Sequence, residues 1–124
     1  MNDLIGLEYC WGANPNDGRG KTDCFQLVCE IRSRLGLSDY SEKYSWAYWL
    51  YDEKSLPPRR MARWLLHRGT RIKIPRVGAV ALLADPDNAA LGTVTDQGLI
   101  CISPGCRVIC VPVERATAHY FWVV

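Results

Sequence analysis

Histidine is scarce in this chain of 124 residues, which contains only His67 and His119. Any site that needs an imidazole, as a general base or as a metal ligand, must therefore use one of these two residues. Long hydrophobic runs are also missing, so the sequence predicts no transmembrane helix. The first residues lack the basic and apolar regions of a signal peptide. We therefore expect a protein that is made in the cytoplasm and either stays soluble or leaves by a route other than secretion.

Blocks of like charge are absent too. The 15 basic and 13 acidic residues are interspersed and give a net charge of +2, which argues against nucleic acid or a membrane surface as the main partner. One basic concentration is interpreted as a solvated face rather than a phosphate or membrane site; it comprises Arg59, Arg60, Arg68, Arg71 and Lys73. With 48% apolar residues and no repeat or linker, residues 1–124 are expected to form a single domain.

Cysteine, by contrast, is frequent: the chain has six, at positions 10, 24, 29, 101, 106 and 110. Without a secretion signal, a disulfide framework is not the default. The gaps between the cysteines are wider than those of zinc knuckles, and no histidine lies near them in sequence. Most of these thiols are therefore expected to pack as small apolar groups, with a disulfide or a metal site as the alternatives. No cofactor is expected.

The pattern around Cys24 predicts a helix that begins with a cysteine. Asp23 can cap the helix, apolar residues then recur at spacings of three and four, and Gly36 ends it. A thiol in the first turn feels unpaired N–H groups and the positive end of the helix dipole. We therefore expect a lowered pKa for Cys24 and a nucleophilic thiolate.

The remaining pattern predicts helices in the first half and strands in the second. Short helices are expected at residues 2–9 and 57–68, the latter ended by Gly69. After residue 75, short apolar runs alternate with turn signals and predict strands at 77–84, 91–95, 99–103, 107–113 and 119–124. The expected fold class is α+β, with N-terminal helices packed on a C-terminal antiparallel β-sheet.

Several segments in this order resemble the NlpC-type cysteine peptidases, the cell-wall hydrolases of the papain-like fold. Tyr9-Cys10-Trp11-Gly12 is similar to the opening loop of that family, and Asp23-Cys24-Phe25-Gln26-Leu27-Val28 is similar to its nucleophile motif. Residues 34–37, 77–80, 91–94 and 98–105 are similar to the end of the nucleophile helix and to the strands that follow. The resemblance covers almost the whole chain and implies a papain-like NlpC-type domain.

The resemblance implies a site with Cys24 as nucleophile and Tyr9 as a lining residue. The catalytic base falls on Ala90, give or take one residue, and the residue that orients the base falls on Cys101. Neither Ala90 nor its neighbours can accept a proton, and His119 is a poor candidate for a displaced base. The same alignment puts Cys24 and Cys101 close together, within disulfide range.

The expected function is therefore that of a catalytically degenerate peptidase domain. Phe25 after the nucleophile resembles the phage-type motif, which implies a structural or assembly protein of a phage tail tip, located in the virion tail. Other tail-tip or hub proteins are the expected partners, with peptidoglycan as a further one. The alternatives are an active endopeptidase or amidase that cleaves peptidoglycan stem peptides, and a metal- or redox-active cysteine protein.

Residues 40–51 are crowded with aromatic side chains, for which two interpretations stay open. They could form a core flap over the first helix. Alternatively, some could be exposed and anchor a partner, since tryptophan and tyrosine are common interface anchors. The residues expected to bind a partner are Trp46, Trp49, Tyr44 and Tyr48.

Overall fold

The computed structural model describes residues 1–45, 48, 67–84, 89–102 and 105–124. The elements with described bounds are the α-helix α1, two short 3₁₀ helices and eight strands. The helix α1 spans Cys24–Arg34, and the 3₁₀ helices span Asn2–Leu4 and Val113–Arg115. The strands are β1 (Glu8–Tyr9), β2 (Lys21–Thr22), β3 (Gly69–Ile72), β4 (Val80–Ala84), β5 (Ala89–Thr95), β6 (Gly98–Ile102), β7 (Ile109–Val111) and β8 (His119–Val123).

Helix α1 begins and ends where the sequence predicts. The Asp23 carboxylate accepts a hydrogen bond from the backbone N–H of Gln26 at 2.8 Å and so caps the first turn. At the other end, Gly36 adopts a φ of 74°, a left-handed conformation that glycine takes without steric cost. The structure thus confirms the predicted helix, whose two end signals depend only on neighbouring residues.

Strands β3 to β8 form one antiparallel sheet in the order β3-β8-β4-β5-β6-β7, and α1 packs on β5 and β6. Side chains alternate between two faces. The face toward α1 carries Val80, Leu91, Ile100, Ile102 and Phe121, which join the cluster that contains Cys24. The opposite face carries Ala79, Ala81, Val94, Leu99 and Tyr120, and it is covered by Val113, Ala116 and Ala118.

The predicted α+β class is confirmed: one helix lies on a six-stranded antiparallel sheet. The helix expected at residues 2–9 is wrong beyond Leu4. Gly6, with a φ of 90°, turns the chain, and its N–H donates to the carbonyl of Val108 at 2.9 Å. The chain then continues as β1, which pairs in parallel with β2 in a separate two-stranded sheet.

The predicted helix at 57–68 lies outside the described residues, apart from a turn at 67–68. Strand β3 directly follows that turn and was missed, because Gly69 was interpreted only as the end of a helix. None of the described helices has the length and apolar character that crossing a membrane requires.

Candidate site at Cys24

Cys24 is the first residue of α1, and its side chain is sealed inside the protein, with 3% of its surface exposed. Burial and the neighbouring Asp23 carboxylate raise the pKa of the thiol to about 12, against the opposing effect of the backbone N–H groups of Leu91 and Phe25. The predicted lowering of this pKa is wrong. Desolvation disfavours the thiolate by more free energy than the N-terminal end of the helix stabilises it.

Asp23 joins three parts of the chain through one buried carboxylate, which is 1% exposed. Besides capping α1, it accepts hydrogen bonds from the backbone N–H of Gly12 at 3.0 Å and from the Tyr48 hydroxyl at 2.6 Å. Burial nevertheless raises the pKa of Asp23 to about 6, because these hydrogen bonds offset only part of the desolvation. The carboxylate therefore links the opening loop (residues 9–12), the helix α1 and the aromatic segment (residues 40–51).

Tyr48 covers the start of α1. Its ring contacts the Trp11 ring, with 4.8 Å between the ring centres, and its hydroxyl points to Asp23. Burial is the main reason that the pKa of Tyr48 is raised, and the phenol stays a donor. Tyr48 and Leu91 belong to the same hydrophobic cluster as Cys24.

Tyr44 also packs inward, with its ring edge against Phe25 at 5.8 Å between centres. The two described tyrosines of the predicted partner surface, Tyr44 and Tyr48, are thus half-buried parts of the core, as the core-flap interpretation has it. The predicted anchors Trp46 and Trp49 lie outside the described residues. For these two tryptophans the interface stays a prediction.

Ala90 and Cys101 lie on the sheet face that points away from α1. Ala90 pairs with Leu83, whose side chain packs on the far face. Cys101 pairs with Gly92, and a Cβ built on Gly92 would meet the Cys101 Cβ at 2.8 Å, so these two also share a face. The sheet therefore separates Cys24 from Cys101, and the expected proximity of the two thiols is wrong.

The residues of β5 and β6 that face α1 are those one position away from Ala90 and Cys101. Since side chains alternate with a period of two, a shift of one residue exchanges the two faces. On the helix side, the neighbours of Ala90 and Cys101 are Leu91, Ile100 and Ile102, all apolar and nearly fully buried. In this register too, the face beside Cys24 offers an apolar side chain where the resemblance implies a base.

His119 opens β8 and is exposed. It pairs with Leu82, which in turn pairs with Leu91, so the three residues form a row on the helix side of the sheet. Two strand spacings, about 10 Å, separate His119 from Leu91. Its Nδ1 contacts Arg71 Nη2 at 2.6 Å, which holds the ring toward the outer strand β3. The structure does not bring His119 to the thiol.

His67 is exposed in the turn before β3, whereas α1 lies over β5 and β6. The backbone N–H of Tyr9, at the end of β1, donates to the carbonyl of Cys106 at 3.1 Å. The Tyr9 ring packs against the core cluster that contains Cys24. Tyr9 and Cys24, which the resemblance assigns to the site, therefore lie in one hydrophobic cluster. The two histidines are exposed and lie outside it.

All six cysteines are free thiols. Cys24, Cys29 and Cys101 are buried, as expected for small apolar groups, but Cys106 and Cys110 are exposed on and beside the outer strand β7. Among the described residues, no group of three or more His, Cys, Asp or Glu side chains is arranged to hold a metal ion.

Sequence reasoning missed two features of this molecule. The Asp23–Tyr48 contact joins residues 25 positions apart, and no local pattern marks it. The Arg71–His119 contact depends on β3, which the sequence did not predict.

Comparisons of the chain with protein-family models, with curated proteins and with solved structures give no match.

Proposed function

We propose that this chain is a catalytically inactive papain-like domain of NlpC type that serves as a structural and assembly component of a phage tail tip. The observation that carries the proposal is the state of Cys24. Cys24 lies at the start of a helix on an antiparallel sheet, where the resemblance implies a nucleophile, but only 3% of its surface is exposed.

The chemistry of the thiol argues against hydrolysis. Burial raises the pKa of Cys24 to about 12, so a much smaller share of this side chain is thiolate at pH 7 than of an ordinary cysteine. An apolar residue at the base position removes a further factor of roughly 10² to 10⁴ in rate. The two effects together leave no useful peptidase activity in the folded state.

The tail-tip assignment rests on the resemblance of the Asp23-Cys24-Phe25 motif to the phage type. The aromatic segment supplies the proposed contact with a partner. Tyr44 and Tyr48 fix the start of this segment to the core through Phe25, Trp11 and Asp23. Trp46 and Trp49 belong to the same segment, and we assign to them the contact with neighbouring tail-tip subunits.

The catalytic part of the proposal is tested with purified protein and peptidoglycan. Wild type, Cys24→Ala and Cys106→Ala are compared for release of stem peptides from cell walls. Cys106→Ala is the matched control, because that thiol is exposed and outside the core. We expect no release by any of the three. Release by wild type and Cys106→Ala that is lost in Cys24→Ala would overturn the proposal.

The assembly part is tested by complementation. We expect that virions lacking the protein have defective tails and that wild type and Cys24→Ala restore them equally. A Trp49→Ala variant that folds normally should fail to enter particles, because it lacks its anchor. Normal particles in the complete absence of the protein would refute a structural role in the tail.

A further inference from the structure

A cleft of about 560 Å³ lies at the edge of the sheet, away from Cys24. It opens where the ladder between β3 and β8 ends, at the pair of Ile72 with Tyr120. Among the residues that the structure describes, those that line the cleft are Arg71, Ile72, Lys73, Ala118, His119 and Tyr120. Three of these six are basic.

The register places two of the basic residues on one face. Arg71 pairs with Phe121, and His119 lies two residues before Phe121, so Arg71 and His119 are diagonal neighbours on the helix-side face. Lys73 follows Arg71 by two residues as the chain leaves the strand. The sheet thus gathers basic side chains at one corner.

Arg71 and His119 are in side-chain contact at the cleft. Arg71 Nη2 lies 2.6 Å from His119 Nδ1, and a guanidinium can only donate hydrogen bonds. Nδ1 is therefore the acceptor in this contact. The remaining guanidinium N–H groups of Arg71 and the Lys73 ammonium can each donate hydrogen bonds to a ligand in the cleft.

This cationic corner lacks a counter-charge within the part of the chain that the structure describes. None of the six lining residues is acidic. Arg19, Arg34 and Arg107 each have a carboxylate oxygen within 2.7 to 2.9 Å, whereas no ion pair among the described residues includes Arg71 or Lys73. A guanidinium that contacts another basic side chain, with no carboxylate bound to it among the described residues, is suited to an anion.

We propose that the cleft binds the oxyanion group, carboxylate or phosphate, of a small ligand. The planar guanidinium can contact two oxygens of such a group, and the lysine supplies further donors. The volume falls within the range of small-molecule sites, so the ligand extends beyond its anionic group. For Arg71 and Lys73, this proposal replaces the expectation of a solvated face. It is independent of the proposed tail-tip role.

The test is calorimetric titration of the full chain with inorganic phosphate and, separately, with malonate. Arg71→Gln and Lys73→Gln are compared with Arg115→Gln, an exposed control that removes the same charge outside the cleft. Circular dichroism confirms that each variant is folded. We expect saturable binding at one site, weakened at least about tenfold by Arg71→Gln and unchanged by Arg115→Gln.

The two probes distinguish the sources of the anion. Binding of phosphate alone identifies a phosphoryl ligand, and binding of malonate alone identifies a carboxylate ligand; either result supports the site. Failure of both probes to bind overturns the proposal. Equal weakening by Arg71→Gln and Arg115→Gln also overturns it, because the attraction would then reflect net charge only.

Discussion

Replacing Tyr48 by phenylalanine removes a single oxygen from the buried junction at Asp23. The ring contact with Trp11 is kept, and only the hydrogen bond of 2.6 Å to the carboxylate is lost. Because the carboxylate stays buried with one donor fewer, we expect the free energy of unfolding to fall by about 1.5 to 3 kcal/mol at neutral pH.

The effect should depend on pH in a direction that the pKa of Asp23 fixes. Burial raises this pKa from 3.8 to about 6 in the folded state. The protonated carboxyl therefore contributes stability that is fully present below pH 3.8 and is lost as the pH rises through 6, by about 3 kcal/mol in total. The Tyr48 hydroxyl lowers the pKa of Asp23, so its removal makes this loss larger.

The assay is urea unfolding of wild type, Tyr48→Phe and Tyr44→Phe at pH 4 and pH 8. Tyr44→Phe is the control, since it also removes one hydroxyl, which accepts an exposed hydrogen bond from Arg68 at 2.9 Å. We expect Tyr48→Phe to lose more stability at pH 8 than at pH 4, and Tyr44→Phe to change little at either. Equal losses in both variants, or no dependence on pH, would refute the reasoning about Asp23.

Three further outcomes follow from burial and packing. A thiol reagent at pH 8 should modify Cys106 rapidly and Cys24 only on unfolding, as peptide mapping by mass spectrometry would show; equal rates would contradict the sealed thiol. Gly92→Ala should lower stability by about 1 to 3 kcal/mol in urea unfolding, because the new Cβ would meet the Cys101 Cβ and a backbone oxygen at 2.8 Å. Arg32→Ala should lower the free energy of unfolding by about 2 to 4 kcal/mol, because the buried guanidinium donates to a carbonyl of β8 at 3.1 Å. A melting temperature equal to that of wild type would contradict this prediction.

The sequence predicted well those features that depend on neighbouring residues. Asp23 and Gly36 mark the two ends of α1 because capping and helix termination are local interactions. The strands of the C-terminal half followed from turn residues between short apolar runs. Their bounds differ from the expected ones by a few residues, as with β5, which begins at Ala89 rather than at 91.

Features that depend on register could not be predicted in the same way. Every position of β6 is buried, so the pattern of apolar residues does not tell which face Cys101 occupies. The face is decided by pairing with Gly92, which has no side chain and lets the Cys101 Cβ approach. The pKa of Cys24 likewise depends on how completely distant segments cover it, which the helix position alone does not reveal.

The three-way junction at Asp23 has a consequence for how this chain tolerates change. Selection for folding alone would keep the carboxylate, since the loop, the helix and the aromatic segment all depend on it. Cys24 makes no comparable demand, and a small apolar residue of similar volume could occupy its place. In this structure the Asp23–Cys24 pair thus has a structural explanation, because the carboxylate caps α1 and the thiol is buried beside it.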